Sequence, residues 1–108
     1  MILYEVNIEL DAEEEKAYCE WIHPHIEKIL ILPGFIKAKF FKQVPMDTQL
    51  KKDEFVHFTI HYILEEWQYL ENYLLHHAAE LREDAYKKFP GKFRATRRAF
   101  ELVSAFHK

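Results

Sequence analysis

The chain has only two glycines, and each follows a proline at the point where a helical pattern gives way to a strand pattern. The two segments read Leu32-Pro33-Gly34-Phe35 and Phe89-Pro90-Gly91-Lys92. Because glycine readily adopts the left-handed backbone with which many helices end, each segment predicts a helix exit followed by a strand. The repeated signal divides the 108 residues into two β-α-β halves of similar size.

Hydrophobic periodicity fills in the elements between these two signals. Strand-like patterns cover residues 2–10, 35–44, 54–64 and 93–103, and helical spacing covers 11–32 and 65–88. Polar residues at 45–53 predict a loop. The second helical region has a break near residues 76–79, so it is predicted either as one helix or as two.

These elements predict a single α+β domain over residues 1–108, because no linker-like or low-complexity stretch interrupts them. The order β-α-β-β-α-β is typical of the ferredoxin-like fold, a four-stranded antiparallel sheet with helices on one face. Strands one and three are expected in the centre, with strands two and four at the edges.

The face of this sheet that the helices leave open is predicted to mix polar and apolar side chains. Alternation along the strands assigns to it a set of candidate ligand-binding residues: Glu5, Asn7, Phe41, Phe55, His57, His61 and Arg97. Arg97 and its neighbour Arg98 must point to opposite faces, and we assign Arg97 to the open one. A mixed face favours burial against a second sheet, although an ordinary solvated face is the alternative.

Composition and charge argue against several classes of partner. The net charge of −3 favours neither nucleic acid nor an anionic membrane. RNA-recognition domains share this topology, but alternation places Tyr4 on the covered face, where it could not stack on a base. No signal peptide or membrane-spanning run is recognised, and the single Cys19 suits a cytoplasmic protein.

The seven histidines do not form a recognisable metal motif. His57 and His61 share a strand face but lie about 13 Å apart at the usual strand rise, too far to share one ion. We therefore predict no metal and no cofactor. Glu5 or Asn7 beside these histidines suits acid–base chemistry, although a satisfied buried polar pair is the simpler interpretation.

The order and spacing of several short segments resemble a family of small bacterial proteins of unknown function in the dimeric α/β-barrel superfamily. The segments are Trp21 to His25, Leu32-Pro33-Gly34-Phe35, Tyr73-Leu74, His77-Ala78, Arg82, Phe89, Gly91, Phe93, Ala95 and Arg97-Arg98. The resemblance implies a homodimer in which two open sheet faces form a barrel interior. It implies no single activity, because relatives include antibiotic-biosynthesis monooxygenases, haem-degrading oxygenases, stress-responsive barrels and ligand-binding modules.

Two functional hypotheses follow. The first is a homodimer that binds a small organic ligand in the barrel, oriented by the polar candidates and walled by Phe41 and Phe55. The alternative is a monooxygenase- or isomerase-like enzyme, with His57 or His61 as general base and Asn7 steadying an enolate or peroxide. Whether the protein is an enzyme stays open. The haem-degrading relatives point, by residue type, to Asn7, Trp67 and His76 or His77, but Trp67 and His77 also fit a buried helical stripe.

Overall fold

A computed structural model describes residues 1–46 and 54–108 and confirms the ferredoxin-like architecture. The elements follow in this order: β1 (Ile2–Asp11), a short 3-10 turn (Ala12–Glu14), α1 (Glu15–Leu30), β2 (Phe35–Lys42), β3 (Phe55–Leu64), α2 (Trp67–His76), α3 (Ala78–Lys88) and β4 (Phe93–Glu101). Most of the predicted loop, residues 47–53, lies outside the described residues.

The four strands form one antiparallel sheet in the order β2-β3-β1-β4, so β1 and β3 are central, as predicted. The register sets Glu5 opposite His61 on β3 and opposite Arg98 on β4. Residues that face each other across antiparallel strands share one face of the sheet. This register therefore fixes which side chains meet on the open face.

The hydrophobic core lies between the sheet and the helices. Alternating residues of β1 and β3 point into it, and Leu10 and Leu64 are completely buried. Tyr18 of α1 stacks on Phe58 with ring centroids 5.9 Å apart. Burying one large apolar side chain contributes about 1.5–3 kcal/mol, so this layer holds the helices on one face of the sheet.

The second helical region is two helices, which settles the alternative that the sequence left open. His77 separates α2 from α3 with φ −127° and ψ −31°, while its N–H still donates to Tyr73 O at 2.9 Å. Ala78 follows at 1% exposure, so only a small side chain fits where the chain changes direction. No helix in the described part of the chain is long and apolar enough to cross a membrane.

Both glycines adopt the left-handed backbone that the sequence predicts, with φ of 84° at Gly34 and 69° at Gly91. Their surroundings differ. A Cβ atom on Gly34 would overlap the Tyr69 side chain, whereas a Cβ atom on Gly91 would have no heavy atom within 4 Å. Gly34 is thus required for close packing and for conformation, and Gly91 for conformation alone.

The first residues of β2 depart from simple alternation. The register shifts between Phe35 and Lys37, and Ile36 is 48% exposed. A bulge adds one residue to a strand and turns that side chain out of the alternating pattern. Phe35 packs against the core instead, with its ring 5.8 Å from that of Tyr62.

Candidate functional site

The open face, meaning the side of the sheet opposite the helices, carries ordered cross-strand rows of polar side chains. The central rows are Lys39–His61–Glu5–Arg98 and Phe41–Thr59–Asn7–Thr96, and the next row sets His57 beside Glu9 and Arg94. Antiparallel pairing keeps directly opposed Cβ atoms about 5 Å apart, so each row brings its side chains into contact.

Glu5 is the centre of the first row and is only 8% exposed, although the helices of residues 1–46 and 54–108 lie on the other side of the sheet. Arg98 Nε donates to Glu5 Oε2 at 2.7 Å, and His61 Nε2 donates to Glu5 Oε1 at 3.1 Å. Asn7 Nδ2 also donates to Glu5 Oε2 at 2.9 Å. The carboxylate is therefore paired and hydrogen-bonded, as a buried charge must be.

The second row extends this network. Thr59 Oγ1 donates to Asn7 Oδ1 at 2.8 Å, so the Asn7 amide both accepts from Thr59 and donates to Glu5. These contacts fix the amide orientation, and together with the Arg98–Glu5 contact they join β1, β3 and β4 through side chains. A network satisfied in this way holds its side chains in one arrangement.

The hydrogen bonds hold the pKa of Glu5 below its ordinary value. The bond from Asn7 is the largest cause, partial burial opposes it by raising the pKa, and Arg98 and His61 lower it further. Donors and a nearby guanidinium stabilise the charged form of a carboxyl group. Glu5 is accordingly a fixed anion at neutral pH rather than a proton donor.

The third row has weaker hydrogen bonding than the first two, and it borders a depression of about 240 Å³. His57 Nε2 donates to Glu9 Oε2 at 3.3 Å, with the two side chains 38% and 40% exposed. The depression is lined by Asn7, Ile8, Glu9, Gln43, His57, Arg94 and Thr96. Its polar groups retain donors and acceptors that an added molecule could use.

Exposed phenylalanines surround these polar rows. Phe41 and Phe55, both predicted for this face, are 43% and 41% exposed, and Phe100 at the end of β4 is 41% exposed. The Phe41 ring lies 5.2 Å from that of His61, and the Arg98 guanidinium lies 5.1 Å from the Phe100 ring centroid. The face thus has a polar centre with an aromatic border.

The placement of Arg97 on this face is wrong. Arg97 lies opposite Val6 on the side that the helices cover, and Arg98 takes the open-face position beside Glu5. The physical reason is the register of β4, which sets Arg98 opposite Glu5, where the two side chains form an ion pair. Sequence reasoning also missed Glu9, Arg94 and Thr96. The polar alternation of Glu5, Asn7 and Glu9 could have indicated Glu9, but Arg94 and Thr96 depend on the phase of β4.

The residues considered for haem chemistry do not converge on one site. Asn7 lies on the open face, whereas Trp67 begins α2 on the other side of the sheet and is 50% exposed rather than buried. His76 is exposed and His77 lies in the turn between the two helices. Within residues 1–46 and 54–108, no three or more His, Cys, Asp or Glu side chains are grouped to hold a metal ion.

Comparison with known proteins supports the fold. A mutant of SnoaB, a cofactor-independent oxygenase from Streptomyces nogalater, aligns with a TM-score of 0.68 at 8% identity, covering 99% of this chain and 98% of that one. A dimeric ferredoxin-like protein from an uncultured marine organism aligns over 100% of both chains with a TM-score of 0.64 and 15% identity. A mutant of MhuD, solved with two manganese protoporphyrin IX molecules per active site, aligns over 100% of both chains with a TM-score of 0.70 and 13% identity.

These similarities show a ferredoxin-like fold. A search of curated proteins found no match. A family profile described as "Domain of unknown function (DUF4286)" matches residues 1–103. Because that match spans nearly the whole chain, the protein belongs to the DUF4286 family.

Proposed function

We propose that the protein is a homodimeric α/β barrel, formed by packing two open faces together, that binds a small organic ligand between them. The observation that carries the proposal is the open face itself, where a nearly buried carboxylate and exposed phenylalanines lie opposite the helices of the described residues. A second copy offers the same face, and a two-fold axis makes such a face self-complementary.

The solvent-exposed area of the isolated chain supports an interface with a second copy. The isolated chain exposes 8007 Å², whereas a compact monomer of 13.1 kDa exposes about 6,400 Å². The excess of about 1,600 Å² is larger than the roughly 800 Å² that each partner buries in a standard stable interface. The exposed C-terminal residues contribute to this excess, and a second copy covering the open face would bury a further part of it.

The C-terminal segment supports the same conclusion. Leu102 N–H donates to Met1 O at 3.0 Å, and the residues that follow are exposed. Val103 and Phe106 are 93% and 90% exposed. Apolar side chains that extend beyond their own domain gain about 25 cal/mol for each Å² of apolar surface removed from water, and a partner subunit provides such a surface.

The depression between the polar rows is the proposed ligand seat. Of the candidate residues, Asn7 and His57 line it, while Glu5 and His61 engage each other and hold the surrounding network. Phe41 lies in the row of Thr59, and Phe55 shares the strand face of His57, so both flank the polar groups. This combination suits a small molecule with hydrogen-bonding groups at one end and an apolar body.

Native mass spectrometry of the gently purified protein tests both halves of the proposal. We expect the wild type to be a dimer that carries additional non-covalent mass. An Asn7→Ala/His57→Ala variant should remain dimeric with about tenfold lower occupancy, because two hydrogen-bonding groups are lost from the seat. The control, Asn72→Ala/His76→Ala, removes the same residue types from the exposed surface of α2 and should keep the mass.

Three results would contradict the proposal. A wild-type monomer would contradict the shared barrel interior, and a dimer without added mass would contradict the bound ligand. Equal occupancy in the wild type and in the Asn7→Ala/His57→Ala variant would show that the ligand lies elsewhere.

A further inference from the structure

A second cavity lies on the opposite side of the sheet, between the strands and the helices, and two arginines line it. This helix-side cavity of about 50 Å³ receives Arg82 from α3 and Arg97 from β4. Its walls include aromatic and imidazole side chains, among them Tyr4, Tyr18, Tyr73 and His25. Neither the sequence motifs nor the proposed barrel interior accounts for two guanidinium groups at this position.

Arg82 is poorly satisfied by the protein. Its Nη2 donates to Tyr4 Oη at 3.4 Å, which is long for a hydrogen bond between nitrogen and oxygen. Its Nε is fully buried and has no hydrogen-bond partner among the described residues. A buried donor on a charged group is costly to leave without a hydrogen-bond acceptor, so such a group normally has a partner in the functional molecule.

Arg97 adds a second cation from the facing strand. It lies opposite Val6 on the covered side of the sheet, and no ion pair joins Arg82 or Arg97 to a carboxylate in residues 1–46 and 54–108. Among the described residues that line the cavity there is no aspartate or glutamate. Two like charges near one partly desolvated cavity repel each other unless an anion lies between them.

The tyrosines provide neutral donors beside these cations. Burial raises the pKa of Tyr73 to about 12, Tyr4 adds to the rise, and the charges of Arg82 and Arg97 oppose it. Both guanidinium groups therefore act on the same phenol, which agrees with their shared place in the cavity lining. Burial also raises the pKa of Tyr62, where Arg97 again opposes the rise. The hydroxyl groups stay protonated at neutral pH and can donate to an anion.

We propose that the helix-side cavity binds an oxyanion, namely the carboxylate or phosphate group of a small molecule, held between the guanidinium groups of Arg82 and Arg97. Planar guanidinium groups match the paired oxygens of such anions, and tyrosine hydroxyls add further donors. A water needs about 10–15 Å³ of such space, so a cavity of about 50 Å³ has room for a compact charged head group. A larger molecule would have to extend outward from the cavity.

This site is separate from the proposed ligand seat, because the sheet lies between them. The barrel interior is lined by open-face residues such as Asn7 and His57, whereas Arg82 and Arg97 lie on the helix side. Either proposal can therefore fail without the other.

Nuclear magnetic resonance titration of the wild-type protein tests the oxyanion site without relying on a variant. Sodium phosphate and sodium acetate serve as separate probes, with sodium chloride holding the ionic strength constant. We expect saturable shifts of the Arg82 and Arg97 Nε–Hε signals with at least one probe, and the probe that binds more tightly distinguishes phosphate from carboxylate. A titration with sodium chloride alone is the control. If it reproduces the shifts seen with both phosphate and acetate, the proposal is overturned.

Variants then locate the binding. Arg97→Gln and Arg82→Gln should each weaken binding about tenfold or more, since each removes a charge-assisted contact. Lys88→Gln removes one positive charge from the exposed end of α3 and should leave binding unchanged. Equal binding by the wild type and both arginine variants would show that the anion binds elsewhere. If a variant does not fold, the wild-type titration still decides the question.

Discussion

His25 should make the stability of the fold depend on pH in a defined window. Its imidazole stacks on Trp21 with ring centroids 4.5 Å apart and lines the helix-side cavity. Burial lowers the pKa of His25 from 6.5 to about 4, Asp84 opposes this change, and Lys28 adds to it. The folded protein thus keeps His25 neutral at a pH where the unfolded chain protonates it.

The sign and size of the effect follow from this difference. Between pH 6.5 and about 4, the unfolded state binds more protons, so the free energy of unfolding falls as the pH falls. Above pH 6.5 His25 is neutral in both states, so the protein has its full free energy of unfolding and no further pH dependence from this residue. Each pKa unit corresponds to about 1.36 kcal/mol, which gives an upper bound of about 3 kcal/mol. Partial exposure of the imidazole to solvent reduces the expected value to about 2 kcal/mol.

Urea denaturation from pH 4 to pH 8 tests this expectation at one fixed protein concentration, since dimer formation would add its own dependence on concentration. The wild-type stability minus that of His25→Gln should fall by about 2 kcal/mol from pH 7 to pH 4. His76→Gln alters an exposed histidine and should follow the wild-type curve. A His25→Gln curve parallel to the wild type across this range would refute the reasoning.

Two further predictions concern the first glycine signal and the open-face network. Gly34→Ala should lower the free energy of unfolding by about 2–5 kcal/mol, because the new Cβ must displace Tyr69 and the backbone is left-handed. Gly91→Ala should lower it by only about 1–2 kcal/mol, because only the left-handed backbone opposes the new side chain. Equal losses in urea denaturation would rule out the Tyr69 contact. Glu5→Gln should cost about 1–3 kcal/mol at pH 7, because Arg98 loses its carboxylate partner. Folding lowers the pKa of Glu5, so the stability difference between the wild type and Glu5→Gln should persist above pH 4.5. It should shrink as the pH falls through the pKa of Glu5 in the folded protein. An unchanged free energy of unfolding at pH 7 would contradict a stabilising role for the Glu5–Arg98 pair.

The central strands were predictable because their two faces differ chemically. The apolar residues of β1 and β3 alternate with polar ones, so a shift of one residue would bury Glu5 and expose Tyr4. The two proline–glycine segments predicted both helix ends, because the left-handed backbone at such an end is a local property of glycine. Consequently the fold class, the central strands and most open-face candidates follow from sequence alone.

The phase of β4 was not predictable in the same way. Arg97 and Arg98 are adjacent, and the strand ends in exposed residues, so neither face is clearly apolar. The register opposite Glu5 decides the matter, and that is a tertiary contact. The bulge at Ile36 and the exposure of Trp67 at the start of α2 likewise depend on packing that periodicity does not encode.

Sedimentation equilibrium of the wild-type protein at micromolar concentration tests the central claim, the packing of two open faces, most directly. The proposed barrel predicts a single species of twice the 13.1 kDa chain mass. The variant Thr59→Arg, which places a cation in the middle of the open face, should shift it toward the monomer. A wild-type monomer at this concentration, or a dimer that Thr59→Arg leaves equally stable, would contradict the claim that the open faces form the interface.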